Sequence, residues 1–464
     1  MYIIKRENEA LLRYEKRKKD FRMKRAIALC GGGSRGSYEI GVWTALKELR
    51  IDYHLVTGTS IGAINGALMV QDDYEKAKNL WDTISIHQVI ATNFSLDYSL
   101  KAIYSQRKDF FQFLKDYVVN KGADITPFVQ LLEETIDENK VMCSDVDFGI
   151  TTVRFPFIKP LEITKKAIGS QNIKKYLLAS ASCFPAFPMC KINGVRYIDG
   201  SFHDDLPIDF ALKLGAEEII AVDLNYGVTH PEFLSHAQIT YIHPSHSLGS
   251  FLHFDQKVMK RNQQLGYNDA LRAFGKVWGY RYTFFKDHAD ESFLMGSAYF
   301  MNLFEQMLSY SNQFSKKKLL KLLDVPMTFY DKKDQQAYLF SQFLRAGEIC
   351  AEQLKVDYLP IYHLEEFCNL LLSRFREPEK YDFKKLFWGS AKDKKMLYQI
   401  VKNMDKEYLI GCIFNRILKN EGVCEEFSYL IAFCSQEIIS AIFLFTLYQL
   451  THHTFILAEC YYHA

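Results

Sequence analysis

The sequence lacks a strong charge of either sign. Its 57 Lys and Arg residues nearly balance 55 Asp and Glu residues, for a net charge of +2, whereas proteins dedicated to nucleic acid carry a pronounced basic field. We therefore expect no nucleic-acid partner. The 10 cysteines are scattered without a CxxC pair, which argues against a disulfide framework and predicts reduced thiols in a cytoplasmic protein.

Long apolar runs are also scarce. The first twenty residues are too charged to hold the apolar stretch of a secretory signal. Residues 427–450 are apolar and long enough to span a bilayer, yet Gln436 and Glu437 fall in their middle, where an ionised Glu would be costly in lipid. We predict a buried C-terminal helix, and a membrane anchor remains the alternative.

Hydrophobic residues make up 48% of the 464 residues, which permits a large core and two or three domains. Short apolar runs bounded by turn residues predict strands, and apolar positions at helical spacing predict helices. The predicted strands are residues 26–30, 54–57, 148–153, 219–224 and 238–243. The predicted helices are residues 37–49, 61–70, 126–136, 173–181 and 208–214. Because a strand, a glycine turn and a helix follow one another twice, we expect an α/β fold with a mostly parallel central sheet.

The composition changes along the chain and predicts three parts. Residues 1–24 are a basic N-terminal helix, and residues 25–284 hold the sheet. From about residue 285 the strand signals stop, so residues 285–464 are predicted to be a helical C-terminal region of unknown role. The aromatic-rich residues 84–122 lack a strand pattern, which suits a lid over a site.

The clearest motif is GTSIG at residues 58–62, a GxSxG between a predicted strand and a predicted helix. That context is the one required of a nucleophile elbow, in which a tight turn lifts the Ser60 hydroxyl to the top of the sheet. The turn leaves no room for side chains on either flank, which explains Gly58 and Gly62. The helix N-terminus behind Ser60 favours developing negative charge.

A second motif, GGGSRG at residues 31–36, follows the first strand and opens a helix. Bare backbone N–H groups in such a loop can stabilise an oxyanion or cradle a phosphate. The glycines also satisfy GxGxxG, but a dinucleotide site needs an acidic residue at the end of the second strand. Asp52 precedes that strand, so the nucleotide interpretation is disfavoured. Arg35 can hold the loop, bind a phosphate head group or form a surface salt bridge.

The third motif is Asp199-Gly200-Ser201, within NGVRYIDGSFHDDLP. Taken alone it indicates only a turn. Together, the glycine loop, the GTSIG elbow and the stretch from residue 179 to 224 resemble, in order and spacing, the blocks of patatin-like phospholipases. The resemblance covers residues 25–275 and implies a patatin-like three-layer sandwich, followed by the helical C-terminal region.

The resemblance also implies the site. Patatin-like enzymes use a Ser–Asp dyad without histidine, so Ser60 corresponds to the nucleophile and Asp199 to its base. The oxyanion-hole glycines correspond to Gly31, Gly32 and Gly33, and the basic residue of that loop corresponds to Arg35. The implied activity is phospholipase A-type hydrolysis of fatty-acyl esters through an acyl-enzyme, with no cofactor and no metal.

Two positions depart from the family pattern. The family usually has Gly or Ala after Asp-Gly, where this chain has the small residue Ser201. It often has Asn where Asp205 stands, two residues after His203. The second departure bears on the local geometry and leaves the dyad unaffected.

Two alternatives remain open. A Ser–His–Asp triad of the α/β-hydrolase type also uses GxSxG, and candidate histidines follow Asp199 in the chain: His203, His230, His243 and His246. The other alternative is an inactive lipid-binding or scaffold protein on the same fold. A dyad suffices physically if burial raises the pKa of Asp199 towards the working range, since Asp is a poor base at its reference pKa.

The expected partner is a phospholipid or another fatty-acyl ester, and the oligomeric state is left open. Residues 5–25 are basic and residues 94–113 are rich in aromatics, so both suit a peripheral contact with an anionic membrane surface. Ordinary surface and core roles for both segments are the alternative.

Overall fold

The computed structural model describes residues 23–91, 123–286, 291–324, 334–375, 401–420 and 430–451, together with 399, 422–425 and 427. The chain divides into two compact units, Met1–Phe274 and Gly275–Ala464. This division falls ten residues before the predicted domain boundary at residues 284 and 285. Most of the basic segment and all of the aromatic stretch at residues 94–113 lie outside the described residues.

The first unit is built on an eight-stranded sheet. Its strands are β1 (Arg25–Leu29), β2 (Leu55–Thr59), β3 (Asp147–Phe155), β4 (Lys159–Thr164), β5 (Cys190–Ile192), β6 (Val195–Asp199), β7 (Glu218–Val222) and β8 (Ile239–Ile242). Its helices are α1 (Ser37–Glu48), α2 (Ile61–Val70), α3 (Tyr74–Thr83), α4 (Thr126–Thr135), α5 (Glu138–Cys143), α6 (Lys165–Ile168), α7 (Ile173–Ser180), α8 (Ile208–Lys213) and α9 (Gln256–Ala273).

The centre of the sheet is parallel, as predicted. The strand order is β5-β6-β3-β2-β1-β7-β8, with β4 paired to β3. The pairs β3–β2, β2–β1, β1–β7 and β7–β8 are parallel. Strands β4 and β6 run antiparallel to β3. The inner strands are buried apolar runs because helices cover both faces of such a sheet. The predicted α/β class is therefore confirmed.

Two helices show that both faces are covered. Phe148 and Gly149 are consecutive on β3, so their side-chain directions point to opposite faces. Phe148 packs against Gly66 of α2, whereas a Cβ on Gly149 would point at Phe210 of α8. Helix α2 and helix α8 therefore lie on opposite sides of the sheet, which gives the three layers that the resemblance implied.

The second unit is mainly helical in its described part. Its helices are α10 (Glu291–Ser309), α11 (Gln313–Leu323), α12 (Gln335–Gln353), α13 (Leu364–Arg374), α14 (Lys406–Lys419) and α15 (Ile431–Thr451). Its small sheet consists of β9 (Val277–Trp278), β10 (Thr283–Phe285) and β11 (Ile361–Tyr362). The expectation that strands stop at residue 285 is wrong for β11, because a two-residue strand leaves no periodic signal.

The long apolar helix α15 lies inside this second unit. It is long and apolar enough to cross a membrane, but 78% of its most apolar window is buried among the other residues of the structure. Its Glu437 is buried and pairs with Lys406 of α14. The placement agrees with the predicted buried helix, since a buried charge requires such a partner.

Candidate active site

Ser60 is the single residue between the end of β2 and the start of α2. Its backbone adopts φ 54° and ψ −122°, a strained conformation for a residue with a side chain and one that tends to mark functional sites. The turn closes tightly: a Cβ on Gly62 would lie 2.5 Å from the carbonyl oxygen of Leu29, and a Cβ on Gly58 would meet the carbonyl oxygen of Gly62. The two glycines therefore permit the turn that presents Ser60.

Asp199 is brought to Ser60 by strand register. Thr59, just before Ser60, pairs with Thr151 of β3, and the next residue, Thr152, pairs with Asp199 at the end of β6. The Ser60 hydroxyl donates to Oδ2 of Asp199 at 2.7 Å. Two residues separated by 139 positions thus form a close, buried hydrogen bond.

Burial changes the acidity of Asp199. The residue is only 3% exposed, and this desolvation raises the pKa of its carboxyl group to about 6. Hydrogen bonds from the Ser201 backbone N–H, at 2.9 Å to Oδ1, and from Ser60 act in the opposite direction. The nearby Asp205 raises the pKa slightly further. Asp199 is therefore an ionised but unusually basic carboxylate at neutral pH.

The glycine loop lies beside this pair. The backbone N–H of Gly31 is already donated to the carbonyl oxygen of Asp205 at 2.9 Å. Among the described residues, the backbone N–H groups of Gly32 and Gly33 have no backbone acceptor. Gly33 has φ +58°, and a Cβ there would meet the carbonyl oxygen of Phe251. Of the three predicted oxyanion glycines, two thus retain N–H groups for a ligand.

Arg35 ties the glycine loop to two other loops. Its Nε donates to the carbonyl oxygen of Gly249 at 2.9 Å, and a terminal nitrogen donates to Oδ1 of Asn225 at 3.4 Å. Asn225 is itself held by the buried Asp223, which accepts from its backbone N–H and its side-chain amide. Both acceptors of Arg35 are uncharged, so the geometry supports the loop-holding role, and Arg35 also lines the cavity described below.

One residue of the site was not identified from the sequence. Ser180, the last residue of α7, accepts the backbone N–H of Ser60 at 2.8 Å and donates to the carbonyl oxygen of Thr151 at 2.7 Å. It lies in the stretch ASAS that contributed to the family resemblance, but no local rule assigns a role to a serine at the end of a helix.

A cavity of about 360 Å³ opens in front of these groups. Ser60, Asp199 and the glycine loop form its polar end, with Arg35 and Asn225 beside them. Ser201 and Asp205 also line it, and the rest of its wall is apolar: Ile61, Ile64, Ile84, Val89, Phe128, Ala181, Cys183, Ala186, Phe187, Phe202, Phe251, Leu252 and Phe254. A pocket of this kind suits a molecule with a long apolar part and a reactive polar end.

Among the residues that the structure describes, no histidine takes part in this arrangement. No histidine lines the cavity among the described residues. His230 contacts Glu232, and His246 lies beside Ser245. The geometry therefore favours the Ser–Asp pair over the triad alternative.

Comparisons with known proteins point to lipid hydrolases. A model of the patatin-like phospholipase family matches residues 27–212. Lysophospholipase NTE1 of Candida albicans (strain SC5314) is 28% identical over 215 residues, which cover 44% of this chain and 14% of that protein. Lysophospholipase NTE1 of Meyerozyma guilliermondii is 29% identical over 222 residues, or 44% and 13% of the two chains.

The matched region is thus a small part of these much longer relatives. Among solved structures, VipD from Legionella pneumophila is similar over 92% of this chain and 90% of its own, with 12% identity and a TM-score of 0.35. The family match begins within β1 and ends within α8, so it contains both Ser60 and Asp199. Residues 27–212 of the chain are thus similar to patatin-like phospholipases.

Proposed function

We propose that the protein is a lipid acyl hydrolase that cleaves fatty-acyl ester bonds of phospholipids or lysophospholipids. Ser60 attacks the ester carbonyl carbon while Asp199 accepts the hydroxyl proton. The N–H groups of Gly32 and Gly33 stabilise the tetrahedral oxyanion. The bond to the alcohol then breaks, Asp199 returns the proton to the departing alkoxide, and an acyl-enzyme remains on Ser60.

The second half of the reaction uses the same groups. Asp199 accepts a proton from water, and the resulting nucleophile attacks the acyl carbonyl. Collapse of this second tetrahedral intermediate breaks the bond to Ser60, which regains the proton from Asp199, and releases the fatty acid. The observation that carries the proposal is the 2.7 Å hydrogen bond between the Ser60 hydroxyl and a buried carboxylate.

The substrate class rests on the cavity and on the names of the relatives. An acyl chain fits the apolar wall, and the polar groups Arg35 and Asn225 lie near the reactive end. The relatives in Candida albicans and Meyerozyma guilliermondii are named lysophospholipases. The free cysteines of the described residues support the expected cytoplasmic location.

An inactive scaffold on the same fold would not need a strained serine held against a buried carboxylate. Replacing Ser60 separates the two functions. We expect Ser60→Ala to lower the hydrolysis of a soluble fatty-acyl ester by about 10³-fold or more, and to abolish labelling by a fluorophosphonate.

The matched control is Ser182→Ala, which removes another buried hydroxyl of the same unit. That hydroxyl donates to the carbonyl oxygen of Leu178, so labelling and most of the turnover should remain. Profiling the lipid products of wild type and Ser60→Ala side by side identifies the head group and the acyl position. Equal turnover by wild type and Ser60→Ala would exclude the proposed mechanism.

A further inference from the structure

An exposed apolar turn projects from the edge of the sheet that carries Ser60. It is the turn between β3 and β4, where Phe157 is 88% exposed and Ile158 is 58% exposed. Solvent-exposed apolar side chains adjacent in sequence are uncommon at a turn, where polar residues and glycine predominate. The turn therefore invites a functional explanation.

Strand register places this turn beyond the active-site edge. Strands β2 and β3 are parallel, and Thr59 pairs with Thr151. Strand β3 continues to Phe155, which at about 3.3 Å per residue carries it roughly 13 Å past the end of β2. Phe157 and Ile158 extend further in the same direction, so they lie beyond the end of the sheet at which Ser60 is found.

A second hairpin accompanies the first. Strands β5 and β6 are joined by Asn193 and Gly194, and Phe155 pairs with Arg196 of β6. The second turn therefore also lies past the end of β2, and its Val195 is 40% exposed. Two neighbouring hairpin tips thus present apolar side chains on one edge.

The tips are continuous with the wall of the cavity. The ring of Phe155 packs against the ring of Phe184, with centroids 6.2 Å apart. Phe184 is partly exposed and directly follows Cys183, which lines the cavity. A surface that meets the tips would consequently lie next to the entrance used by a substrate.

The charges around the tips are all positive. Arg154 lies opposite Lys159 in the β3–β4 pair, and Lys191 lies opposite Arg196 in the β5–β6 pair. Like charges directly opposite each other destabilise a sheet. All four side chains are exposed, and none forms an ion pair within the described residues. Neither hairpin tip, residues 154–160 or 188–197, contains an acidic residue.

Backbone conformation adds a second local penalty. Ile158 has φ +46°, a left-handed conformation that a β-branched residue rarely adopts and that Gly or Asn adopts easily. The turn thus keeps an apolar residue at a position where Gly or Asn would adopt the backbone conformation at lower cost. An anionic surface with an apolar interior would neutralise the unfavourable charge pairs and would bury the exposed side chain of Ile158.

We propose that the two hairpin tips dock the protein on an anionic lipid bilayer. Phe157 and Ile158 insert among the acyl chains, and Arg154, Lys159, Lys191 and Arg196 contact the phosphate layer. This surface deepens the proposed function and rests on it, because docking places the cavity entrance beside the lipid. It differs from the basic segment and the aromatic stretch expected from the sequence, most of which lie outside the described residues.

The test is co-sedimentation of the full-length protein with vesicles of phosphatidylcholine and phosphatidylglycerol, compared with phosphatidylcholine alone. The apolar variant combines Phe157→Ser with Ile158→Asn, and the Asn suits the left-handed turn. We expect it to bind anionic vesicles roughly tenfold less tightly. Combining Lys159→Gln with Lys191→Gln should weaken binding about fivefold per charge removed, and high salt should weaken wild-type binding.

The matched control is Leu212→Ser. Leu212 is also partly exposed, but it precedes β7 near Lys24, at the opposite edge of the sheet. Vesicle binding should be unchanged by this substitution. A positive readout comes from Phe157→Trp, whose emission should shift to shorter wavelength on anionic vesicles, whereas Leu212→Trp should not shift.

Hydrolysis of a soluble ester separates docking from chemistry. The hairpin variants should keep wild-type turnover of that ester, which also shows that they fold. Vesicle binding that is absent in wild type, unchanged in both hairpin variants or equally reduced by Leu212→Ser overturns the docking proposal. A Ser60→Ala variant with full ester turnover overturns the proposed function instead, and the vesicle assay still decides the docking surface.

Discussion

The hydroxyl of Ser180 accepts the backbone N–H of Ser60 at 2.8 Å and thereby holds the strained turn between β2 and α2. The same hydroxyl donates to the carbonyl oxygen of Thr151 on the neighbouring strand. Ser180 is fully buried, so water cannot replace it as the acceptor. A positioning role follows: Ser180 fixes the backbone from which the Ser60 hydroxyl reaches Asp199.

We expect Ser180→Ala to lower kcat for a soluble ester by about 10- to 100-fold while changing KM little, because the loss affects alignment more than binding. The control is Ser182→Ala, which removes a hydroxyl that donates to the Leu178 carbonyl oxygen in the same segment. Its turnover should stay near wild type. Equal effects of the two substitutions would mean that the segment matters only for folding.

The pH dependence should report the burial of Asp199. As a base, Asp199 must be ionised, and burial raises its pKa to about 6. The value of kcat/KM should therefore fall as the pH decreases through about 6 and should level off above it. An acid limb near pH 4 would indicate an exposed carboxylate and would contradict the buried geometry.

Asp205→Asn provides the matched variant for this measurement. The charge of Asp205 is one of the influences that raise the pKa of Asp199. Removing that charge should shift the acid limb of kcat/KM to lower pH, and the Asn side chain conserves the shape. Because the backbone carbonyl of residue 205 still accepts the Gly31 N–H, the plateau should change little.

The dyad predicts a clear contrast between Asp199 and the histidines. Asp199→Asn removes the proton acceptor and should approach the loss expected for Ser60→Ala. Single replacement by Gln should leave substantial turnover at each histidine that follows Asp199. These are His203, His230, His243 and His246. One histidine variant as inactive as Ser60→Ala would establish a triad, and the measurement is kcat/KM on the same soluble ester.

Much of the first unit could be predicted because its inner strands are continuous apolar runs. Residues 26–30 and 219–224 have this pattern, and the structure places β1 and β7 there. Strands β4 and β5 escaped prediction because they are short and partly exposed, so neither an apolar run nor a clear alternation marks them. The helix predicted for residues 126–136 is observed at Thr126–Thr135, with Ile125 at its N-cap position.

The site could be predicted only in part from the sequence, for a related reason. Ser60 stands within a local motif, and the resemblance supplied Asp199. The Gly31 N–H donates to the backbone carbonyl oxygen of Asp205, and the Ser180 hydroxyl accepts the backbone N–H of Ser60. Both hydrogen bonds join distant parts of the chain. Local sequence patterns contain no information about which of several glycine N–H groups the fold leaves unpaired.

Glu39 should make stability depend on pH. Glu39 lies buried in α1, and the side-chain amide of Asn65 in α2 donates to its carboxyl group at 2.7 Å. Burial raises the pKa of this carboxyl group from 4.5 to about 8. Between these values the folded state holds a proton that the unfolded state has lost. The free energy of unfolding therefore falls as the pH rises, by about 1.4 kcal/mol per unit, until about pH 8.

We expect Glu39→Gln to remove this slope, since the amide does not titrate. Wild type should lose thermal stability relative to Glu39→Gln on going from pH 5 to pH 8, as measured by Tm in the same buffers. The control is Glu48→Gln, in a surface residue of the same helix that contacts Tyr267. A constant Tm difference between wild type and Glu39→Gln across this range would contradict a buried, protonated Glu39.

The last prediction concerns the second unit, which we expect to contribute no catalytic group. Glu348 of α12 is fully buried there, and one of its oxygens accepts three consecutive backbone N–H groups, those of Tyr280, Arg281 and Tyr282. Its other oxygen accepts from Arg345 at 3.0 Å. The carboxylate thus fixes the strand connection to the helices of this unit.

Replacing this carboxylate by an amide should be strongly destabilising, because the buried Arg345 then lacks its main counter-charge. We expect Glu348→Gln to lower the free energy of unfolding by about 3–5 kcal/mol, measured by denaturant or thermal unfolding. Turnover of a soluble ester, measured well below the Tm, should match wild type. The control is Glu305→Gln on the exposed side of α10, which should change neither quantity. A folded Glu348→Gln protein that has lost ester hydrolysis would show that the second unit supports the chemistry directly.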